Sequence, residues 1–252
     1  MISVALVTHN SECFLPELLL SIDRQTLQPE IKLAVDDNST DATVDLLNQN
    51  GFTVISAHSS ENETITRIAQ NFMQVVIAAH KAGSGTVIIG DHDDLWHPHR
   101  IKHQHEILTK NHRVSLVASN GRTPKGSLRT TFPVPENFNE LDLAGQWRYV
   151  AKHSIATGGA CAIAPDRITT LNVPTGWLHD RWWSLRAVRE QSMWIDQELV
   201  IDYRVSSDQQ VGLDAAGQGS TAYWWTKKLR DLPSTARKMK DISRLISQTK
   251  EN

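Results

Sequence analysis

Along the first 120 residues a short apolar run, a polar turn and a helical stripe follow one another repeatedly. Ile2 to Val7 is a β-branched run of strand length, ending in Thr8-His9-Asn10-Ser11. Phe14, Leu15, Leu18, Leu19 and Ile22 then recur at helical spacing, with Asn10 or Ser11 as the predicted cap. Ile31 to Val35 predicts a second strand, closed by Asp36-Asp37-Asn38-Ser39-Thr40-Asp41. A helix carrying Val44, Leu46 and Leu47 follows, capped by Ser39 or Thr40. Phe52 to Ala57 predicts a third strand, and Ile65 to Ala82 a long helix with Ile68, Phe72, Val75, Val76 and Ala79 inward. Val87 to Gly90 predicts the fourth strand. Strands and helices alternating over short connections imply a parallel sheet with right-handed crossovers, and so an α/β fold.

The pattern loosens after that. His99 to Asn111 reads as an amphipathic helix and Val114 to Ser119 as a strand. Gly121 to Asn139, rich in Pro, Gly and Thr, reads as a loop placed to cover a site. Ile155 to Ile163 reads as a small-residue strand with a Gly pair, Gly158-Gly159, that allows a ligand close to the backbone. Trp177 to Trp183 opens a helix running through Leu185 and Val188, and Trp194 to Tyr203 alternates as a strand does. Between Lys227 and Lys250, eight Lys/Arg stand against two acids, with leucines and isoleucines interleaved. Such a tail is either a basic amphipathic helix for an anionic membrane surface or a solvated terminal helix packed on the domain.

Composition changes this picture little. Of the 252 residues 40% are hydrophobic and 21% charged, with a formal net charge of −2, so no electrostatic case for nucleic acid arises. Cys13 and Cys161 are too few for a disulfide scaffold and lack metal-ligand spacing, which fits a reducing cytosol. No apolar run reaches the ~20 residues that a membrane-spanning helix needs, and a signal-peptide pattern is absent.

The chemistry concentrates at Val87 to Pro98, where a strand runs into Asp91, Asp93 and Asp94. Carboxylates so close repel one another, and a hard cation such as Mn²⁺ or Mg²⁺, bridging to a phosphate, removes that cost. Most acidic clusters are solvated turns. Here the position argues otherwise, because open α/β sheets bind ligands beyond the carboxyl ends of their strands.

Read together, Val4 to Asn10, Asp36 to Asp41, Asp91 to Trp96, Thr157-Gly158-Gly159, His179 to Trp183 and Tyr203-Arg204 resemble the family 2 glycosyltransferases of GT-A fold, and more narrowly their bacterial rhamnosyltransferase-like branch. The segments stand in the family's order over roughly the first 210 residues. The resemblance implies a GT-A, Rossmann-like, mostly parallel central sheet flanked by helices. Residues 1–222 would form the transferase domain, divided into a nucleotide-binding half (1–119) and an acceptor-binding half (120–222), with a basic helical tail at 223–252. It implies an inverting, metal-dependent enzyme that moves a sugar from a UDP- or dTDP-linked donor to a hydroxyl of a cell-surface glycan or glycolipid. The setting would be cytoplasmic, with peripheral membrane association through the tail.

The residue roles implied are these. Thr8, His9, Asn10, Asp37 and Arg67 bind the donor nucleotide. Asp93, with Asp91, holds Mn²⁺ or Mg²⁺, while Asp91 also lies toward the ribose or a metal-bound water and His92 contacts the donor sugar. Asp180 is the general base, with His179 as the alternative base or Asp180 as a mere helix cap. Gly158, Gly159, His179, Trp182 and Trp183 bind the acceptor, the indoles as a stacking wall or as core. The family's His two residues after the Tyr-Arg pair is replaced by Ser206, which leaves the metal's remaining ligand open between Asp208, phosphates and water. Two other readings stand beside this one. One is a catalytically weak or inactive nucleotide- or glycan-binding domain. The other is a sugar-nucleotide nucleotidyltransferase, disfavoured because Thr8-His9-Asn10-Ser11 lacks a Gly-rich phosphate loop.

Overall fold

The computed structural model describes residues 1–58, 61–122, 135–151, 153–204 and 232–247. The expected site-covering loop falls largely, and Ser206 and Asp208 wholly, outside these residues. An eight-stranded sheet runs through the centre, in the order β3-β2-β1-β4-β7-β6-β8-β5. Its strands are β1 (Ile2–Thr8), β2 (Ile31–Asp36), β3 (Thr53–Ser56), β4 (Thr86–Asp91), β5 (Leu95–Trp96), β6 (Leu116–Arg122), β7 (Cys161–Ile163) and β8 (Met193–Asp202). The first four strands pair in parallel. The helices connecting them are α1 (Leu15–Asp23), α2 (Thr43–Gln49) and α3 (Thr64–Lys81). The later helices are α4 (Arg100–Lys110), α5 (Leu143–Val150), α6 (His179–Arg189) and α7 (Leu232–Ser247).

Period-two alternation sorts the strands between two cores. Ala5, Val87, Ile89, Leu116 and Ile163 face the side covered by α3, α5, α6 and α7. Val4, Leu6, Ile88, Val117 and Ala162 face the side covered by α1, α2 and α4. Each fully buried aliphatic side chain contributes about 1.5–3 kcal/mol, so both faces of the central strands add to stability.

The structure departs from the sequence reading at particular places. The first two helices are not capped by the expected side chains. α1 starts at Leu15 with a Pro in its first turn, and the backbone carbonyl of Ser11, not its hydroxyl, accepts from Phe14 and Leu15. At α2 it is the Asp41 carboxylate that accepts from the Thr43 N–H. The Gly121–Asn139 segment begins as strand, because β6 runs on to Arg122 along β8. The expected strand over 155–163 shrinks to Cys161–Ile163, and Gly158–Ala160 forms a single 3-10 turn. β7 enters antiparallel between β4 and β6, which ends the parallel run.

The described part of the basic tail is the helix α7. Leu245 is buried, Trp177 Nε1 donates to Asp241 Oδ2 at 3.1 Å, and the Lys238 ammonium lies 5.3 Å from the Trp177 ring centroid. Met239 and Ile246 face outward, 65% and 48% exposed. Among the described residues no helix is long and apolar enough to cross a membrane.

Candidate active site

Because β1, β2 and β4 are parallel neighbours, Thr8, Asp36 and Asp91 reach the same edge of the sheet. The Thr8 hydroxyl donates to Asp36 Oδ1 (3.0 Å), and Asp36 also accepts from the Ser39 N–H (2.9 Å) and the Ser39 hydroxyl (2.6 Å). Asp36 is therefore spent on turn structure. Asn10 and Asn38 hold φ of 45° and 58°, the left-handed region that Asn tolerates better than most residues. Asn10 stitches the two turns together, its N–H donating to Ser39 Oγ (2.8 Å) and its Oδ1 accepting from the Thr40 N–H (2.9 Å). His9 Nδ1 donates to the Asp37 carbonyl at 2.6 Å. Asp37 is 9% exposed and accepts from Arg67 Nε at 2.8 Å, so these two candidate nucleotide contacts form one ion pair at the start of α3.

The antiparallel register of β7 on β4 runs the Gly158–Ala160 turn alongside Asp91. A Cβ on Gly159 would lie 2.4 Å from Asp94 Oδ2 and 2.6 Å from Asp91 Oδ2. A Cβ on Gly158 would lie 2.5 Å from His179 Nε2. The side of each glycine where a Cβ would stand is thus filled by the protein's own side chains. Asp93 and Asp94 are 5% and 0% exposed.

Beneath them lies Arg100, at the start of the helix that the sequence predicts over His99 to Asn111. It is fully buried, 3.8 Å from the Trp96 ring centroid, with Nη2 donating to the carbonyl of Ile89 and, at 3.4 Å, to that of Cys161. Burial pushes its pKa down to about 9, opposed first by the Asp94 carboxylate and more weakly by Asp91. The sequence signal for this buried cation is slight: Arg100 and Gln104 share one helix face, and Arg100 Nε donates to Gln104 Oε1 at 3.3 Å.

A second cation, Arg204 of the Tyr203-Arg204 pair, closes the loop from outside. Its guanidinium donates to the carbonyls of Asp93 and Phe14 and pairs with Glu17. His92 sits beside Phe14, with ring centroids 6.1 Å apart.

α6 brings the remaining candidates. Asp180 lies in its first turn, where Oδ2 accepts from the Gly158 N–H at 3.2 Å and Oδ1 from the Arg181 N–H at 2.6 Å. This joins the candidate base to the same glycine turn that contacts Asp91. His179 is stacked on Phe72 with centroids 3.8 Å apart, and burial, weakly opposed by Asp91, pushes its pKa down to about 4. Such an imidazole is neutral near pH 7, and its ring is packed against Phe72 and Trp183. Trp182 and Trp183 are 5% and 0% exposed within the core, and Trp183 Nε1 donates to the Leu171 carbonyl at 2.9 Å. The expected acceptor-stacking wall is therefore core packing, because neither indole presents an open face.

Among the described residues no three His, Cys, Asp or Glu side chains form a preformed metal cage. The donors at hand, Asp91 and Asp93, are all-oxygen and close together. That suits a hard cation held by one or two carboxylates and completed by phosphate and water.

A buried acid cluster beyond the carboxyl ends of parallel strands, with a second carboxylate tied to it through a glycine turn, defines a GT-A-type architecture. The family model described as Glycosyl transferase family 2 matches residues 3–163, and the chain belongs to that family. Comparison with curated protein sequences found no significant match. Among solved structures, *S. aureus* TarS 1-349 is similar with a TM-score of 0.59 at 16% identity, covering 80% of this chain and 59% of that one. The same TarS fragment in complex with UDP-GlcNAc is similar with a TM-score of 0.59 at 16% identity, covering 87% and 62%. Glucosyl-3-phosphoglycerate synthase from *Mycobacterium tuberculosis*, in complex with Mn²⁺, UDP and glucosyl-3-phosphoglycerate, gives 0.56 at 18% identity, covering 82% and 72%. The chain thus spans about three fifths of the TarS fragment.

Proposed function

We propose that this protein transfers a sugar, with inversion, from a UDP- or dTDP-linked donor to a hydroxyl of a glycan or glycolipid, as in the rhamnosyltransferase-like branch. The observation that carries this reading is the Gly158–Gly159 turn, which touches Asp91, Asp94, His179 and, through a backbone hydrogen bond, Asp180. One compact turn thereby relates a leaving-group site to a base.

In this reading the Asp37–Arg67 pair and the stitched turns at Thr8, His9 and Asn10 face the nucleotide. Asp93 and Asp91 would hold Mn²⁺ or Mg²⁺, which supplies positive charge for the diphosphate as it leaves. The Mn²⁺ and UDP present in the similar mycobacterial enzyme support that choice of metal and nucleotide. Asp180 takes the proton of the acceptor hydroxyl as its oxygen attacks the anomeric carbon from the face opposite the leaving diphosphate. Direct in-line displacement inverts that carbon.

Among the described residues of the tail, the outward face of α7, with Met239 and Ile246 exposed beside Lys240 and Arg244, would meet a membrane surface. Thermal-shift measurements across nucleotide sugars, with and without Mn²⁺, identify the donor. With that donor, Asp180→Asn is expected to keep nucleotide binding and lose transfer by about 10²–10⁴-fold, the usual worth of a general base. An Asn variant that retains transfer would remove Asp180 from the mechanism.

A further inference from the structure

Beside the first turn of α6, on the side facing α7, lies a cavity of about 430 Å³. Its position relates it to the chemistry: Leu178 and Arg181 bracket Asp180, and Ile65 stands two residues before Arg67 at the start of α3. The Gly176 N–H donates to Thr66 Oγ1 at 2.8 Å, which pins the approach to α6 against α3.

The lining has a definite character. Ile65, Trp177, Leu178 and Ile242 make it largely apolar, Arg181 and Lys238 supply two cations, and among the described residues the acid Glu63 stands close by, its Oε1 3.7 Å from a Cβ built on Gly176. The Arg181 guanidinium donates to the backbone carbonyls of His153 and Ala151, while burial lowers its pKa and the adjacent Asp180 carboxylate opposes that shift. The nearby Asp241 accepts from Trp177 Nε1. A space of this size falls in the range of about 300–1,000 Å³ typical of small-molecule sites. Apolar walls carrying two cations favour an anion attached to a less polar body over either a bare ion or a neutral sugar.

We infer that this cavity binds an anionic group on the acceptor, a phosphate or carboxylate a few bonds from the attacked hydroxyl, with α7 supplying one wall and Lys238 one of its two charges. The inference rests on the transferase reading for its substrate class, and it gives the basic tail a role in acceptor selection. Lys238 acts as a specificity-determining residue. It takes no part in bond making, so donor binding does not depend on it.

The test uses the full chain, saturated with UDP and Mn²⁺, titrated calorimetrically with glycerol 3-phosphate, with glycerol and with inorganic phosphate. Glycerol 3-phosphate is expected to bind at least tenfold more tightly than glycerol and more tightly than inorganic phosphate. Lys238→Glu should weaken it by tenfold or more, and the milder Lys238→Met by several-fold, with UDP affinity unchanged. Equal binding of glycerol 3-phosphate and glycerol, or affinity indifferent to both substitutions, would overturn the inference. Inorganic phosphate matching glycerol 3-phosphate would also overturn it, by showing an adventitious anion site. Failure of UDP to bind at all would count against the transferase reading, while the glycerol 3-phosphate titration without UDP would still decide the cavity's role.

Discussion

The two halves of the site are built in different ways. At the ends of β1 and β2 the polar residues are spent on one another: Thr8 and Ser39 on Asp36, Asn10 on Thr40, Arg67 on Asp37. Around β7 and α6 the acids meet backbone and glycine, Asp180 on the Gly158 N–H and Asp91 and Asp94 against Gly159. The first half is a set of turns braced by side chains. The second half is a close approach that only residues without a side chain permit. Damage to the first should therefore be local and graded, whereas damage to the second should spread across both halves.

The comparison breaks most sharply at the acids themselves. Asp93→Ala is expected to lower transfer at least about 10²–10³-fold, the usual loss when one preorganised charge-stabilising group is removed, while circular dichroism stays native; near-normal turnover would show that the acid cluster is only structural. Next comes Arg100→Met, which leaves Asp91 and Asp94 without their buried counter-charge. Chemical denaturation should show a loss of about 3–5 kcal/mol, the range for stripping a buried charge of its partner. A loss under 1 kcal/mol would mean that the acids are neutralised by other means.

The pH dependence follows from His179. Its folded pKa of about 4 lies below the ordinary 6.5, so the unfolded chain takes up a proton that the folded one refuses. Stability from this group is complete above about pH 6.5 and drains away as the pH falls toward 4, by about 3 kcal/mol in all. Urea titrations between pH 4 and 7 should show that slope in the wild type and a flatter one in His179→Gln. The smallest effect is expected in the first half, where Asp36→Asn should cost about 1–3 kcal/mol through the weakened Thr8 and Ser39 hydrogen bonds, with nucleotide affinity little changed.

This contrast also explains what the sequence could tell. The β1-to-β4 half was legible because each strand is an apolar run and each turn a local pattern of Asn, Asp, Ser and Thr, so both fold and site acids follow from neighbours in the chain. Arg100 was not, because nothing in His99-Arg100-Ile101 says that the guanidinium turns inward beneath acids six to nine residues away. Trp182 and Trp183 carry the residue type of a sugar platform, and only the packing of α6 shows them to be core. Gly158 and Gly159 signalled a close approach correctly, but what approaches them is His179 and the acid cluster. That fact depends on the antiparallel insertion of β7, a long-range pairing without a local signature.

The second half turns on one contact, in which the glycine turn holds Asp91 and Asp94 at the end of β4. Gly159→Ala tests it, because the substitution lies outside the nucleotide-binding half and alters no charged group. Calorimetric titration of UDP with Mn²⁺ should show at least a tenfold loss of affinity in a folded Gly159→Ala protein, since the new methyl must displace Asp91 and Asp94. Wild-type affinity in that variant would contradict the account.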